Sequence, residues 1–504
     1  MADKRCIIHL SRARWAWLLL TAGLCTAAVL FFTLRGGKEN AAPAPSYRLP
    51  EASEGLNRYG LSLRLLPDEH SLALTETLAY RNDTGSTLDH LVLRTWINAF
   101  QTEETSPAAL DEVWDVCYPE GFSPGGLTLY DVQWNGENAA HAYLDAAMTA
   151  LRVEVPPLAP GEEGALFLRC VMTIPACAYR TGRVGGAYQL GNVIPLLSRW
   201  ENGAWRTDPY SAVGDPFLSD CADFSVSLHL PEGYDATPAC SCPLTKGEDG
   251  VWRGEMPAAR DIALCLCPDA RLCRGRAGDV ALYSFAQTEA GAARALEDAR
   301  KALETYGGLY GAYPYSALTV CSVDFPFGGM EYPGLIMIGQ GNYLESRADT
   351  LELTVAHETA HQWFYALVGS DQVKDPWQDE ALCEYAVLSY VRARYGQGSF
   401  ESLKSCRVDA AMQESLPGSL TPGSPIDYYA SLADYATVVY GRGAALLLAV
   451  DQWLQGGADA FLRAYVEKHA FGFASRADFE SLLNEYARAD LTPLVVDYLD
   501  TVME

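Results

Sequence analysis

Basic residues are scarce in this chain. Lysine and arginine number 37 against 64 aspartates and glutamates, for a formal net charge of −27. Phosphate binding needs clustered positive side chains, so no nucleic-acid partner is expected. The same acidity favours solubility and attracts cationic ligands over long range. Low-complexity tracts are absent. With 49% hydrophobic and 20% charged residues, the 504-residue chain has ample material for folded cores, in about two to four domains. Long uncharged runs are rare too. Trp15 to Leu34 is twenty residues without a charge, enough to span a bilayer as a helix, and no second run matches it.

That run is preceded by Lys4, Arg5, Arg12 and Arg14 and followed by Arg35 and Lys38. The bias puts the N-terminus in the cytoplasm and the bulk of the chain outside. The expected layout is a cytoplasmic tail (1–14), a transmembrane anchor (15–34) and a linker (35–54) whose Lys38–Pro50 stretch is Pro/Ala-rich and stiff. The resulting expectation is a single-pass protein of a bacterial-type cell membrane. A cleaved signal peptide is the rival, but its apolar core would span about 7–15 residues and end on a small-x-small site, which is missing here. Fourteen cysteines are many. Cys240, Cys242, Cys265, Cys267 and Cys273 cluster without any standard structural-zinc spacing. Cross-strand disulfides and free buried thiols both remain open.

From about Tyr59 to Pro268 the pattern alternates as strands do. Tyr59–Leu66, Ser71–Tyr80, Leu91–Trp96, Ala165–Ile174 and Phe224–Leu230 are the clearest, with a turn composition at Pro67–His70. An antiparallel β domain is expected over 55–275. Beyond it, Ala292–Gly311 reads as a helix, Leu318–Asp324 as a strand and Phe327–Gly339 as a further strand. Helical periodicity then dominates to Glu504, leaving no room for a large third domain.

Within that second part, 276–504, lies TVAHETAHQWFYALVG (354–369). Asp349 with Glu352 suits a capping box, apolar residues recur at helical spacing, and Gly369 is a natural stop. His357 and His361 then fall one turn apart on one face, able to share a metal ion, with Glu358 in reach of a metal-bound water. A catalytic zinc takes three protein ligands. The segment Asp375–Gly396 reads as a helix with Glu380 in its first turn, nineteen positions after His361, and Glu384 one turn on. Glu380 is the expected third ligand. Glu384 is placed to accept the other nitrogen proton of a ligating histidine. The plain alternative makes both glutamates part of a solvated acidic stripe.

His357-Glu358-x-x-His361, eighteen residues and then Glu380 resembles the gluzincin pattern of the aminopeptidase N and leukotriene-hydrolase family. Gly328-Gly329-Met330-Glu331-Tyr332 resembles that family's G-x-M-E-N segment, and Tyr440-Gly441-Arg442-Gly443 its Tyr-x-Lys-Gly segment, all in the family's order. The resemblance covers about residues 55–500. It implies a multidomain α+β fold: a saddle-like antiparallel β domain, then a thermolysin-like, mainly helical peptidase domain. It implies one zinc ion per chain on His357, His361 and Glu380, Glu358 as general base, Tyr440 as donor to the oxyanion, Glu331 as anchor for a peptide's free N-terminus, and Gly328, Gly329 and Met330 along its backbone. The expected activity is removal of N-terminal residues from peptides.

Taken without the motif order, Glu331 is a strand-edge carboxylate and Tyr440 one tyrosine among 28, with Tyr435 as a competitor. The family's Asn is Tyr332 here, followed by Pro333, and its Lys is Arg442. The larger C-terminal helical domain of many relatives is not expected, which would open the site to longer peptides. No residue of the β domain, Gln189 included, matches the glutamine that helps hold the substrate amine in some relatives. A zinc endopeptidase on the same site, an inactive peptide-binding or transport-associated module, and a structural envelope protein stay as alternatives.

Overall fold

The computed structural model describes residue 47, residues 55–416 and residues 418–502. The expected tail and anchor lie outside the described residues, as does the linker apart from Tyr47. Among the described residues no helix is long and apolar enough to cross a membrane.

The first part is built on an eight-stranded sheet. Its order is Thr245–Lys246, Trp252–Ala259, Ala222–His229, Asn57–Leu66, Ser71–Arg81, Glu163–Thr173, Gly126–Trp134, Glu137–Asn138. Alternation along Asn57–Leu66 puts Tyr59, Leu61, Leu63 and Leu65 on the buried face. The antiparallel expectation needs one correction: Asn57–Leu66 runs parallel to Ala222–His229. These strands are far apart in sequence, so a long crossover can bring them together in either direction, which a hairpin cannot. Two four-stranded sheets, one around Leu88–Arg94 and one around Ala187–Leu190, and a two-stranded ribbon of Trp200–Glu201 with Ala204–Trp205 complete this part.

Glu76 is anomalous. It shares the apolar face of Ser71–Arg81 with Leu74 and Leu78, is 1% exposed, and neither carboxyl oxygen has a partner. Burial pushes its pKa well above the ordinary range. A raised pKa in an acid means stability is full below the unfolded value, near 4.5, and declines as pH climbs towards the folded one. Glu76→Met is therefore expected to stabilise the protein, with a margin growing by up to about 1.4 kcal/mol per pH unit above pH 5. Denaturant titrations at pH 5, 6 and 7 check this; a pH-independent margin contradicts it.

The second part opens with a five-stranded sheet, Arg271–Ala277, Val280–Ala286, Ala317–Val323, Leu335–Gly339, Gly329–Met330. The boundary expected at 275/276 falls within its first strand. Helix α1 (Glu289–Tyr310) is the crossover between the parallel strands Val280–Ala286 and Ala317–Val323. Thr288 caps it by accepting from Gly291 N, and Ala292, Ala295, Ala299 and Ala302 form its buried stripe. The single strand expected at Phe327–Gly339 is a hairpin instead. Tyr332 O accepts from Leu335 N at 3.0 Å, Pro333 takes the first central position, and Gly334 has φ +73. That is the chemistry of a type II turn. The pairing Tyr332-Pro333, unusual beside the family's Asn, is thus a turn former.

Helices fill the rest. Of these, α2 (Ala348–Ala360) and α3 (Trp377–Tyr395) carry the site. The described cysteines are all free, and all but Cys267, Cys273 and Cys406 are buried. Cys240 and Cys242 approach to 3.8 Å between sulfurs. They pack as small hydrophobic residues, which favours the thiol reading.

Candidate metal centre

Helix α2 differs from expectation at both ends. Its N-cap is Arg347 without a side-chain bond, and Asp349 lies in the first turn. Glu352 is no capping residue: it is buried and accepts from the hydroxyls of Tyr390 (2.5 Å) and Tyr395. The α-helix ends at Ala360, with His361 as its C-cap, and Gln362–Leu367 opens into a wider turn where Ala366 N donates to His361 O. Arg260, fully buried, donates to Tyr365 O at 2.8 Å and to Leu367 O at 3.3 Å, so a guanidinium takes over carbonyls that the helix gives up. Gln362 accepts from Gly334 N at 2.9 Å and donates to Tyr332 O at 3.2 Å, tying the turn after Glu331 to the residue following His361.

The structure brings His357, His361 and Glu380 together, all buried. His357 Nε2 and His361 Nε2 are 3.2 Å apart, and Glu380 Oε2 lies 3.2 and 3.4 Å from them. His361 Nδ1 is 2.8 Å from Asp379 Oδ1, and His357 Nδ1 is 3.7 Å from Glu384 Oε2. Asp379 keeps the proton on His361 Nδ1, Glu384 sets a negative charge against the Nδ1 edge of His357, and both rings turn their Nε2 lone pairs towards Glu380. Two lone pairs and a carboxylate converging on one point need a cation, and this two-nitrogen, one-oxygen set suits zinc. Burial pulls the His357 imidazole down, but Glu380 and Glu384 carry it up to about 9. Burial would raise Glu380, yet both histidines hold it well below the usual carboxylate range. Both shifts report the same demand for positive charge. Burial opposes and Arg407 leads in holding Glu384 down to about 2, through contacts of 2.9 and 3.0 Å.

Glu358 is buried beside this cluster, and burial with the neighbouring carboxylates Glu380 and Asp215, against the two histidines, lifts it to about 7. A carboxyl there can take or give a proton near neutral pH. Glu331 lies with Glu358 and His361 in a second compact donor group. Its Oε1 is buried without a partner, and burial pushes its pKa well up. The Gly329–Met330 strand runs across the front of Glu358, with Gly328 just before it; a methyl on Gly329 would collide with the Glu358 carboxylate. Gly329→Ala is expected to lower kcat by about 10²-fold while metal content stays the same, since small displacements of a reacting group are costly. Paired metal analysis and kinetics check this.

The Tyr440 ring stacks on His357 at 5.5 Å and 17°, and its hydroxyl reaches Glu380. Tyr435 packs behind it at 5.9 Å, its ring on Tyr429 and its hydroxyl against Gly214. Arg442 keeps the charge of the family's Lys but is buried, donating to the carbonyls of Ala411 and Glu414. Gln189 Nε2 is spent on the carbonyls of Tyr179 and Asp324, both at 2.9 Å.

Sequence reasoning missed Asp379, Arg407 and Arg260, and the buried ion pair Arg180–Asp215, whose carboxylate raises Glu331, Glu358 and Tyr440 electrostatically. Asp379 had one signal: it directly precedes Glu380 at the opening of α3. The others come from distant segments and had none.

A family model for the peptidase family M1 domain matches residues 294–498. Aminopeptidase N of Lactococcus lactis is 25% identical over 75% of this chain and 46% of its own length. Human endoplasmic reticulum aminopeptidase 2 is 30% identical over 40% of this chain and 22% of its own. The chain spans less than half the length of these curated relatives. Among solved structures, an M1 zinc metallopeptidase from Deinococcus radiodurans shares the fold, with a TM-score of 0.59 at 19% identity, covering 89% of this chain and 94% of that one. Together with the site's geometry, these likenesses make residues 294–498 similar to the peptidase family M1 domain, on a fold shared with an M1 zinc metallopeptidase.

Proposed function

We propose that the protein is a zinc aminopeptidase, tethered to a membrane through Trp15–Leu34, that removes N-terminal residues from peptides. The observation carrying this reading is the pairing of two features. Three convergent donors, His357, His361 and Glu380, sit beside the buried Glu331 carboxylate, whose Oε1 has no partner. Two metal-seeking imidazoles explain hydrolysis; a buried carboxylate oxygen left without a partner next to them explains selection of an ammonium group. A structure neighbour from Deinococcus radiodurans is bound to a Tyr-Ser-Ala substrate, which suits a short peptide in such a site.

Bound to His357, His361 and Glu380, a zinc ion would acidify a water and polarise the scissile carbonyl. The chain's own side chains do the rest. Glu331 holds the peptide's α-ammonium and so registers the first peptide bond against the ligands. Gly328, Gly329 and Met330 lie along the substrate backbone. Glu358 accepts the proton of the attacking water and passes it to the leaving amine, a cycle that a pKa near 7 allows in both directions. Tyr440 donates from its hydroxyl to the oxygen that gains charge. Glu384 and Asp379 hold the two imidazoles.

The charges flanking Trp15–Leu34 support an N-terminus inside and a site outside. Metal analysis tests the catalytic reading: one zinc per chain, with activity lost to a chelator and restored by zinc. A purified, folded protein with no zinc and unimpaired hydrolysis would end it. Protease protection of oriented vesicles tests the topology.

A further inference from the structure

We propose that Arg407 is a positioning residue of the metal centre: it fixes the Glu384 carboxylate against the Nδ1 edge of His357 and so holds the Nε2 edge of that ring towards Glu380 and His361. The inference rests on the zinc reading above.

The two histidines are held differently. On the His361 side Asp379 makes a direct bond at 2.8 Å and receives Gln372 Nε2 on its other oxygen. On the His357 side the Glu384 oxygen stands 3.7 Å from Nδ1, beyond a hydrogen bond. There the carboxylate acts as a fixed charge, and what matters is that it stays in place. Arg407 supplies that, with one guanidinium nitrogen 3.0 and 2.9 Å from the two oxygens of a carboxylate whose side chain is 5% exposed. Nearby, Lys404 is spent on Asp409.

The backbone that carries Arg407 is itself clamped to the segment bearing Tyr440. A methyl on Gly441 would strike Ala411 and crowd Arg407 O, so the two segments are in backbone contact. Arg442 then donates to the carbonyls of Ala411 and Glu414. Ser405–Asp409 and Ala436–Arg442 are both wide helical turns, and they meet here. One bracket therefore locates the His357 ring through Arg407 and Glu384 and the Tyr440 ring, stacked on it, through Gly441 and Arg442.

The test is zinc affinity, measured by chelator competition without substrate, for the wild type, Arg407→Met, Arg407→Lys, Glu384→Gln and the double variant Arg407→Met/Glu384→Gln. Arg407→Met and Glu384→Gln should each weaken zinc binding by about 10-fold or more, the range typical of groups that hold a metal-ligating histidine. Arg407→Lys should recover part of the loss. The double variant should bind no more weakly than the worse single one. Wild-type affinity in Arg407→Met, or losses that multiply in the double variant, would overturn the proposal. If Arg407→Met does not fold, Glu384→Gln and Arg407→Lys decide: wild-type affinity in both sinks it. A wild-type protein that takes up no zinc would instead refute the zinc reading itself.

Discussion

Glu358→Gln is expected to keep its full complement of zinc and to lose about 10³-fold in kcat, the scale on which a positioned acid–base group acts. Glutamine matches the carboxylate in shape, so it fits the space that Gly329 leaves open. None of the three convergent donors is touched. What disappears is the ability to carry a proton. In the wild type that group titrates near pH 7, because burial and neighbouring carboxylates raise it more than the two histidines lower it. Activity in the wild type should therefore fall on the acid side as Glu358 becomes protonated. Paired zinc analysis and kinetics on the variant decide the matter: an unchanged rate rules Glu358 out as the base, and lost zinc makes the variant uninformative about proton transfer.

Glu331→Gln should cost about 10²-fold in kcat/KM on peptides with a free N-terminus, because one charge-assisted contact worth about 3 kcal/mol is lost. Blocked peptides, which never used that contact, should be cleaved no worse than before. The same substitution should stabilise the fold at neutral pH. Glu331 is buried, one oxygen has no partner, and burial raises its pKa well above the ordinary value. Its stability contribution is thus full below about pH 4.5 and is lost as pH rises from there. A variant that is both less active and more stable is the signature of a group kept for substrate at a cost to the fold. Thermal melts at pH 5 and pH 8, run beside the kinetics, check both halves; a variant destabilised at pH 8 would make Glu331 a structural residue.

Much of this arrangement is legible in the sequence, and the reasons are local. Helical spacing alone puts His357 and His361 on one face, and the acidic residues that open Asp375–Gly396 mark where the next helix begins. Alternating burial along Asn57–Leu66 and Ser71–Arg81 follows from a sheet with one face in the core. What was illegible depends on partners far away in sequence. Where α2 stops is decided by Arg260, 105 positions from the carbonyl it satisfies. Glu352 looked like half of a capping box, yet Tyr390 and Tyr395 on α3 claim it. The parallel pairing of Asn57–Leu66 with Ala222–His229 is set by a crossover that no local pattern encodes. The supports behind the histidines divide the same way: Glu384 was readable one turn from Glu380, whereas Arg407 and Gln372 reach in from other segments.

Selection of a free N-terminus separates the proposed aminopeptidase from an endopeptidase. Its most direct test is the ratio of kcat/KM for a free aminoacyl reporter to that for the same reporter N-acetylated, measured on the zinc-loaded protein. A ratio of about 10² or more in favour of the free substrate is expected, since acetylation removes the charge that Glu331 binds. Equal cleavage of both would contradict the aminopeptidase reading and make the protein a zinc endopeptidase on the same site.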